Sequence, residues 1–313
     1  RNIVCLLSVL GVLSCTASLY YVERMTFLKP IFIFTLFLRF FQGAFYGLAQ
    51  MVLSSTLIID TSESFQRTEA NHSSSWFGRF ALSLGPVLSL VVFQYSGFSW
   101  ALLASIICGL VAILLIMMVK FPFKTNDGDT KVLSSDRFFL TQGKWLFANL
   151  MITTSVIGLL LSTRLSFPFY GMVMGGFIMA LLAQKFVFAQ AELESEVISG
   201  IILIGGAILM MLTRHQTIVF YLSPLLIGLG IGIIGSRFLL FFIKLSHHSQ
   251  RGTSQSTFLL GWESGIGIGL FIGYALMYDQ PQLIYITSII LLFVSFLIYH
   301  FFTHKWFMKH KNR

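Results

Sequence analysis

Glu263 and three arginines, Arg39, Arg79 and Arg237, lie inside runs of apolar residues long enough to cross a bilayer. A charge at bilayer depth costs ~2.5–3.5 kcal/mol on the insertion scale, so such residues face a bundle interior and suggest function by default. Glu263 falls twelve residues past Arg251 and next to Trp262. A carboxyl held away from water at that depth can take up and release a proton near neutral pH, which is the chemistry a proton-coupled carrier requires. It can equally be half of a permanent ion pair. Arg79 and Arg237 are both candidate partners, and the sequence does not choose between them; Arg79 also fits a place near the membrane interface. Arg39 sits ~16 Å into its run, where it serves either a polar function or the carbonyls of a neighbouring broken helix.

Other polar groups carry weaker chemistry. Asp60, Glu63 and Arg67 fall between two apolar runs. They can form a cytoplasmic charge gate that breaks when the molecule opens inward, or a solvated helix-capping loop. His300, His304 and His310 belong to a basic tail, and Cys5, Cys15 and Cys108 lie in apolar runs without ligand spacing. No metal site, disulfide framework or cofactor is expected. Gly261, Gly265, Gly269 and Gly273 recur every fourth residue beside Glu263. They make one smooth helix face, suited to close packing and to sliding between halves.

The elements that position these residues follow from composition. Of 313 residues, 56% are hydrophobic and 11% charged, with a mean hydropathy of +0.83. Soluble domains carry about 25% charged residues, so this chain reads as an all-α integral membrane protein. A bilayer core needs roughly 20 apolar residues per helix. Ten spans are predicted: Ile3–Val22, Leu28–Ile59, Trp76–Tyr95, Ser99–Val119, Trp145–Ser162, Phe167–Phe188, Val197–Leu212, Val219–Ile243, Thr257–Met277 and Leu283–Phe302.

The net charge of +9 is not a nucleic-acid signature, because the basic residues sit in short connections between spans. Arg1, Arg67, Lys120, Lys124, Lys131, Arg137, Lys144, Lys185, Lys244, Arg251 and the tail Lys305–Arg313 fall on one side, against Arg24, Lys29, Arg164 and Arg214 on the other. The excess predicts cytoplasmic termini. The polar stretch Phe121–Gln142 divides four spans from six. This gives an N-terminal bundle over 1–120, a cytoplasmic linker over 121–144 and a six-helix bundle over 145–313. The parts repeat at an offset of 184 residues: Gln66-Arg67 matches Gln250-Arg251, Gly85 matches Gly269, and Arg79 matches Glu263. Parallel repeats of this kind are used by transporters.

Three local patterns extend that reading. Arg39-Phe40-Phe41-Gln42-Gly43 resembles the R-x-x-Q-G motif in the fourth helix of the major facilitator superfamily. Asp60, Arg67 and Ala70 resemble the D-x6-R-x-x-A link that follows it, and Gly85-Pro86 resembles the G-P motif in the fifth helix of efflux-type members. The resemblance covers the chain as family helices three to twelve and implies two further helices before Arg1. The second copy of the family's glycine–aspartate–basic loop is missing from Ala189–Glu196, and Ala81, Ser89 and Leu90 replace the small or glycine residues expected around the G-P motif.

The resemblance implies a secondary transporter of a small organic solute, an antiporter driving efflux from the proton gradient. It would be a monomer in the bacterial inner membrane, with lipid and solute as its partners and no nucleic acid. Arg39 and Gln42 are implied in coupling or in the cavity lining. The rivals are a lipid-modifying membrane enzyme and a truncated, non-transporting sensor. Against the enzyme, no loop exceeds about 25 residues and no His/Asp pair appears at membrane depth, so no enzymatic activity is expected.

Overall fold

The structure, a computed structural model, describes residues 2–24, 32–53, 67–118, 139–163, 165–188, 191–213, 216–247 and 250–311. The regular structure is helical: α1 (Asn2–Arg24), α2 (Phe32–Val52), α3 (Arg67–Ser96), α4 (Phe98–Met118), α5 (Lys144–Leu161), α6 (Phe167–Phe186), α7 (Leu193–Thr213), α8 (Thr217–Leu245), α9 (Arg251–Leu276) and α10 (Pro281–Ile298). A π-helical turn, Tyr299–Thr303, carries α10 on into α11 (His304–His310). Among the described residues, nine helical segments are long and apolar enough to cross a membrane. The tenth long helix, α2, has 21 residues and carries Arg39, Gln42 and Gln50 in its sequence. The chain is an integral membrane protein. In hydrocarbon, helices satisfy their own backbone groups, which is why length and apolarity suffice to specify these elements.

The helices gather into two compact units, Arg1–Ser74 with Leu88–Lys131, and Ser75–Val87 with Val132–Arg313. In the first, α1 packs against α2 and α4 through Cys5, Leu13, Cys15 and Leu19. Gly11 makes room for the Phe45 ring of α2, and Gly109 of α4 receives Leu13. Gly97, at φ +88°, turns α3 directly into α4. That left-handed conformation favours glycine.

The second unit is built on glycine-lined seams. Along α9, a methyl group at Gly265 would run into Met151 and Thr154 of α5, one at Gly269 into the backbone of Ser155 and Leu159, and one at Gly273 into Ser162. Gly158 of α5 returns the fit against Ile266, Gly269 and Leu270. A second seam joins α6 and α8, where Gly176 faces Leu225 and Leu229 while Gly228 faces Val173. A third joins α7 and α8 through Gly200 and Gly230. Small residues at these positions let backbones touch, the usual driving force for association in lipid.

Polar groups are tied across the same unit. Asn149 Nδ2 donates to the Ser295 carbonyl at 3.0 Å, and the Thr153 and Ser295 hydroxyls meet at 2.7 Å. These bonds hold α5 to α10. The Leu140 amide donates to Thr257 Oγ1 at 2.7 Å, fixing the entry to α5 against α9. Tyr299, Thr303 and Phe307 are buried four residues apart, so the π-helical turn leaves one continuous packed face. Phe238, Phe241 and Phe242 of α8 complete the aromatic core at that end.

Candidate functional site

In the first unit, the polar center belongs to α2. Arg39 Nη1 donates to Gln42 Oε1 at 3.0 Å, one turn along the helix, and Gln42 Nε2 donates to Thr16 Oγ1 of α1 at 2.9 Å. Thr16 is buried and passes its own proton to the Val12 carbonyl at 2.8 Å. The R-x-x-Q spacing is thus a physical link: an i, i+3 pair whose second member reaches a neighbouring helix. Arg39 itself is exposed.

In the second unit, Arg79 of α3 is 4% exposed. Its Nη1 donates to Ser236 Oγ of α8 at 2.9 Å, and its guanidinium lies 4.5 Å from the center of the Trp76 ring. Gly235 clears the space: a methyl there would lie 2.9 Å from Arg79 Nε and 2.9 Å from Trp262. Arg237, the next residue but one on α8, pairs instead with Glu196 in the first turn of α7. Glu196 is 1% exposed, and Arg237 supplies its counter-charge. The N-terminus of α7 adds a favorable dipole for this carboxylate and for Glu194.

Beside that pair lies a carboxylate–imidazole cluster. Glu194 Oε1 meets His300 Nδ1 at 2.7 Å, its Oε2 lies 3.6 Å from His304 Nε2, and Tyr299 Oη meets His304 Nδ1 at 3.1 Å. The π-helical turn carries Tyr299 and His300, and the first residue of α11 is His304, so the two histidines meet Glu194 at the start of α7. Among the described residues, no group of three His, Cys, Asp or Glu has metal-binding geometry.

Glu263 stands on the exposed side of α9, opposite in role to its neighbor Trp262, which is buried. Of the two arginines considered as its partners, Arg237 engages Glu196 and Arg79 engages Ser236. Gly265, Gly269 and Gly273 pack on α5, and Gly261 lies against Phe147 and Leu150 of the same helix. Gly85 has open space around it, and Pro86 sits within α3. Arg67 begins α3; Asp60, Glu63 and the Arg67 side chain lie outside the described residues.

Glu196, and the contacts of Glu194 with His300 and His304, are the polar features that the sequence does not announce. A signal for Glu196 was available: it shares a helical face with Gly200, Ile204 and Ile208, all buried. A carboxylate in register with such a stripe needs a cation opposite it.

At the other end of this unit, Ser166, Gln216, Ser223 and Tyr285 contribute polar groups to an otherwise apolar cavity of ≈ 370 Å³ between α6, α7, α8 and α10. Pro224, inside α8, lines it as well.

The two units are bundles of apolar helices whose fold is shared with solved transporter structures. The chain is similar in structure to the E. coli fucose:proton symporter FucP, with a TM-score of 0.60 at 13% identity over 96% of this chain and 83% of that one. FucP in its outward conformation gives 0.60 at 12%, covering 96% and 82%. A bacterial homolog of the human lysosomal transporter Spinster, inward-facing and unoccupied, gives 0.57 at 13%, covering 100% and 85%. At these identities the likeness is one of fold. No family model and no curated protein matches the sequence.

Proposed function

We propose that this chain is a secondary active transporter that moves a small organic solute across a membrane by alternating access, outward and in exchange for protons. The observation that carries the reading is the likeness in fold, across nearly the whole chain, to a proton-coupled sugar symporter and to a homolog of a lysosomal transporter. Residues 1–120 and 145–313 act as the two rocking halves, joined by the 121–144 linker on the cytoplasmic side of a bacterial inner membrane. The protein works as a monomer. The efflux direction draws its support from the sequence patterns at Arg39–Gly43 and Gly85-Pro86.

Glu263 is the proposed proton carrier, and the Arg39–Gln42–Thr16 chain is proposed as polar lining within the first half. Asp60, Glu63 and Arg67 form the cytoplasmic gate. Protonation shifts the balance of inward- and outward-facing states only if the two states hold the proton with different affinity. Proteoliposomes loaded with a pH-sensitive dye, challenged with a panel of sugars, organic acids and organic cations, test the coupling. The wild type is expected to move protons with one class of solute, and Glu263→Gln to reduce that movement to background while solute exchange persists. Undiminished proton movement in Glu263→Gln would remove the residue from this role.

A further inference from the structure

A buried guanidinium normally arrives with its counterion, because an ion taken out of water without one loses most of its solvation and regains little. Arg79 departs from that rule. It is 4% exposed, its Nη1 is engaged by Ser236, and its Nη2 is buried with no hydrogen-bond partner. No carboxylate among the described residues pairs with it: Glu196 is taken by Arg237, and Glu194 by His300 and His304. Ser236 gives only a neutral acceptor, since its own proton goes to the Gly232 carbonyl at 2.9 Å.

The surroundings are nevertheless arranged around the charge. Trp76 presents its ring at 4.5 Å, a cation–π contact that holds the guanidinium without neutralizing it. Gly235 leaves room where any side chain would press on Nε and Nη2, which a methyl would approach to 2.9 and 3.0 Å. Trp262 forms the wall on the α9 side. About one helical turn away, Leu82, Phe177, Ile227 and Ile231 line a small cavity that is apolar throughout.

We propose that Arg79 Nη2 is the receptor for the carboxylate of an apolar organic acid, whose hydrocarbon body follows the Leu82–Phe177–Ile231 wall. This deepens the transport reading and rests on it, because a residue so enclosed meets a solute only when the carrier opens. A single negative charge matches a single guanidinium. A phosphate dianion would leave a net charge among tryptophans and aliphatic walls, so the geometry favors a carboxylate. The acid can come from the aqueous phase or from membrane lipid, and the chemistry at Nη2 is the same.

The test uses the full chain purified into nanodiscs of zwitterionic lipid, read by tryptophan fluorescence, since Trp76 and Trp262 flank the site. Octanoate is expected to give a saturable change at about tenfold or more lower concentration than its neutral analog octanamide. Arg79→Gln should abolish that preference, and Arg79→Lys, which keeps the charge without the fork, should weaken it. Ser236→Ala should retain it. Equal binding of octanoate and octanamide by the wild type would overturn the proposal without recourse to any variant, as would octyl phosphate binding more tightly than octanoate. Benzoate added to the buffer and oleate supplied in the disc distinguish a soluble acid from a lipid-derived one, and a response abolished by Arg79→Gln in either arm supports the site. Carboxylate binding without solute-driven proton movement would leave the site and remove the transport reading. Proton-coupled transport by a wild type that shows no preference for octanoate over octanamide would do the reverse.

Discussion

Replacing Arg237 with methionine is expected to lower stability by about 3–5 kcal/mol, the usual consequence of leaving one member of a buried ion pair alone. Glu196 is 1% exposed and its partner is Arg237, so the variant strands a carboxylate between α7 and α8. The length and apolar stem of methionine keep most of the packing, which isolates the charge. The double variant Glu196→Gln with Arg237→Met should recover most of the loss, because removing both charges removes the desolvation cost together with the attraction. Apparent melting temperatures in detergent, followed by size-exclusion chromatography after heating, provide the measurement. A single variant as stable as the double one would show that the pair contributes nothing to holding α7 on α8.

The second large effect is expected at Gly269. An alanine methyl there meets the carbonyl oxygen of Ser155 and comes within 2.8 Å of the Leu159 amide nitrogen. Neither atom belongs to a side chain that can turn away, so α5 and α9 must separate along their seam. Overpacking of this kind typically costs 1–3 kcal/mol and sometimes more, and a backbone obstacle places it at roughly the upper end. Gly267, two residues earlier on the same helix, has open space around it. Gly267→Ala should be neutral or stabilizing by up to about 1 kcal/mol, through helix propensity alone. The paired melting measurements make propensity and packing separable, and equal shifts in the two variants would contradict the close approach.

Much of the fold was legible because the bilayer imposes a length and a polarity on each helix. The predicted Phe167–Phe188 and Trp145–Ser162 correspond to helices Phe167–Phe186 and Lys144–Leu161. At the start of α7, where prediction and structure part, the reason is a charge. A span beginning at Val197 stops short of Glu194 and Glu196, since hydropathy treats a carboxylate as the edge of the membrane. The helix begins at Leu193, because Arg237 compensates one carboxylate and the two histidines engage the other. Cross-chain compensation cannot be read from a window of local sequence.

The same limit applies to the candidate sites. Four-residue glycine spacing on α9 was visible, and so was a stripe able to pack closely. Which helix it meets depends on topology, and α5 lies more than a hundred residues away in sequence. Arg79 was visible as an intramembrane arginine, whereas its environment was not. Trp76 is on its own helix at the preceding turn, but Ser236 and Gly235 come from a helix about 157 positions further on. Glu263 stands out in the sequence by its charge and depth, properties that say nothing about which way a side chain turns.

The glycine seams also set how the second unit can deform. Where side chains separate two helices, a small displacement is absorbed as rotamers change. At Gly158 and Gly269 of the α5–α9 seam, and at Gly176 and Gly228 of the α6–α8 seam, the first atoms met are carbonyl oxygens, which have no rotamers. Each pair therefore behaves mechanically as a single stiff beam, with α7 fastened to the second through Gly200 and Gly230. Compliance is left to the side-chain joints between the beams, such as Phe242 on Phe258, and to the hydrogen bonds from α5 to α10. A force delivered at one end of α8 would reach α6 almost undiminished, and would reach α9 only through a softer joint.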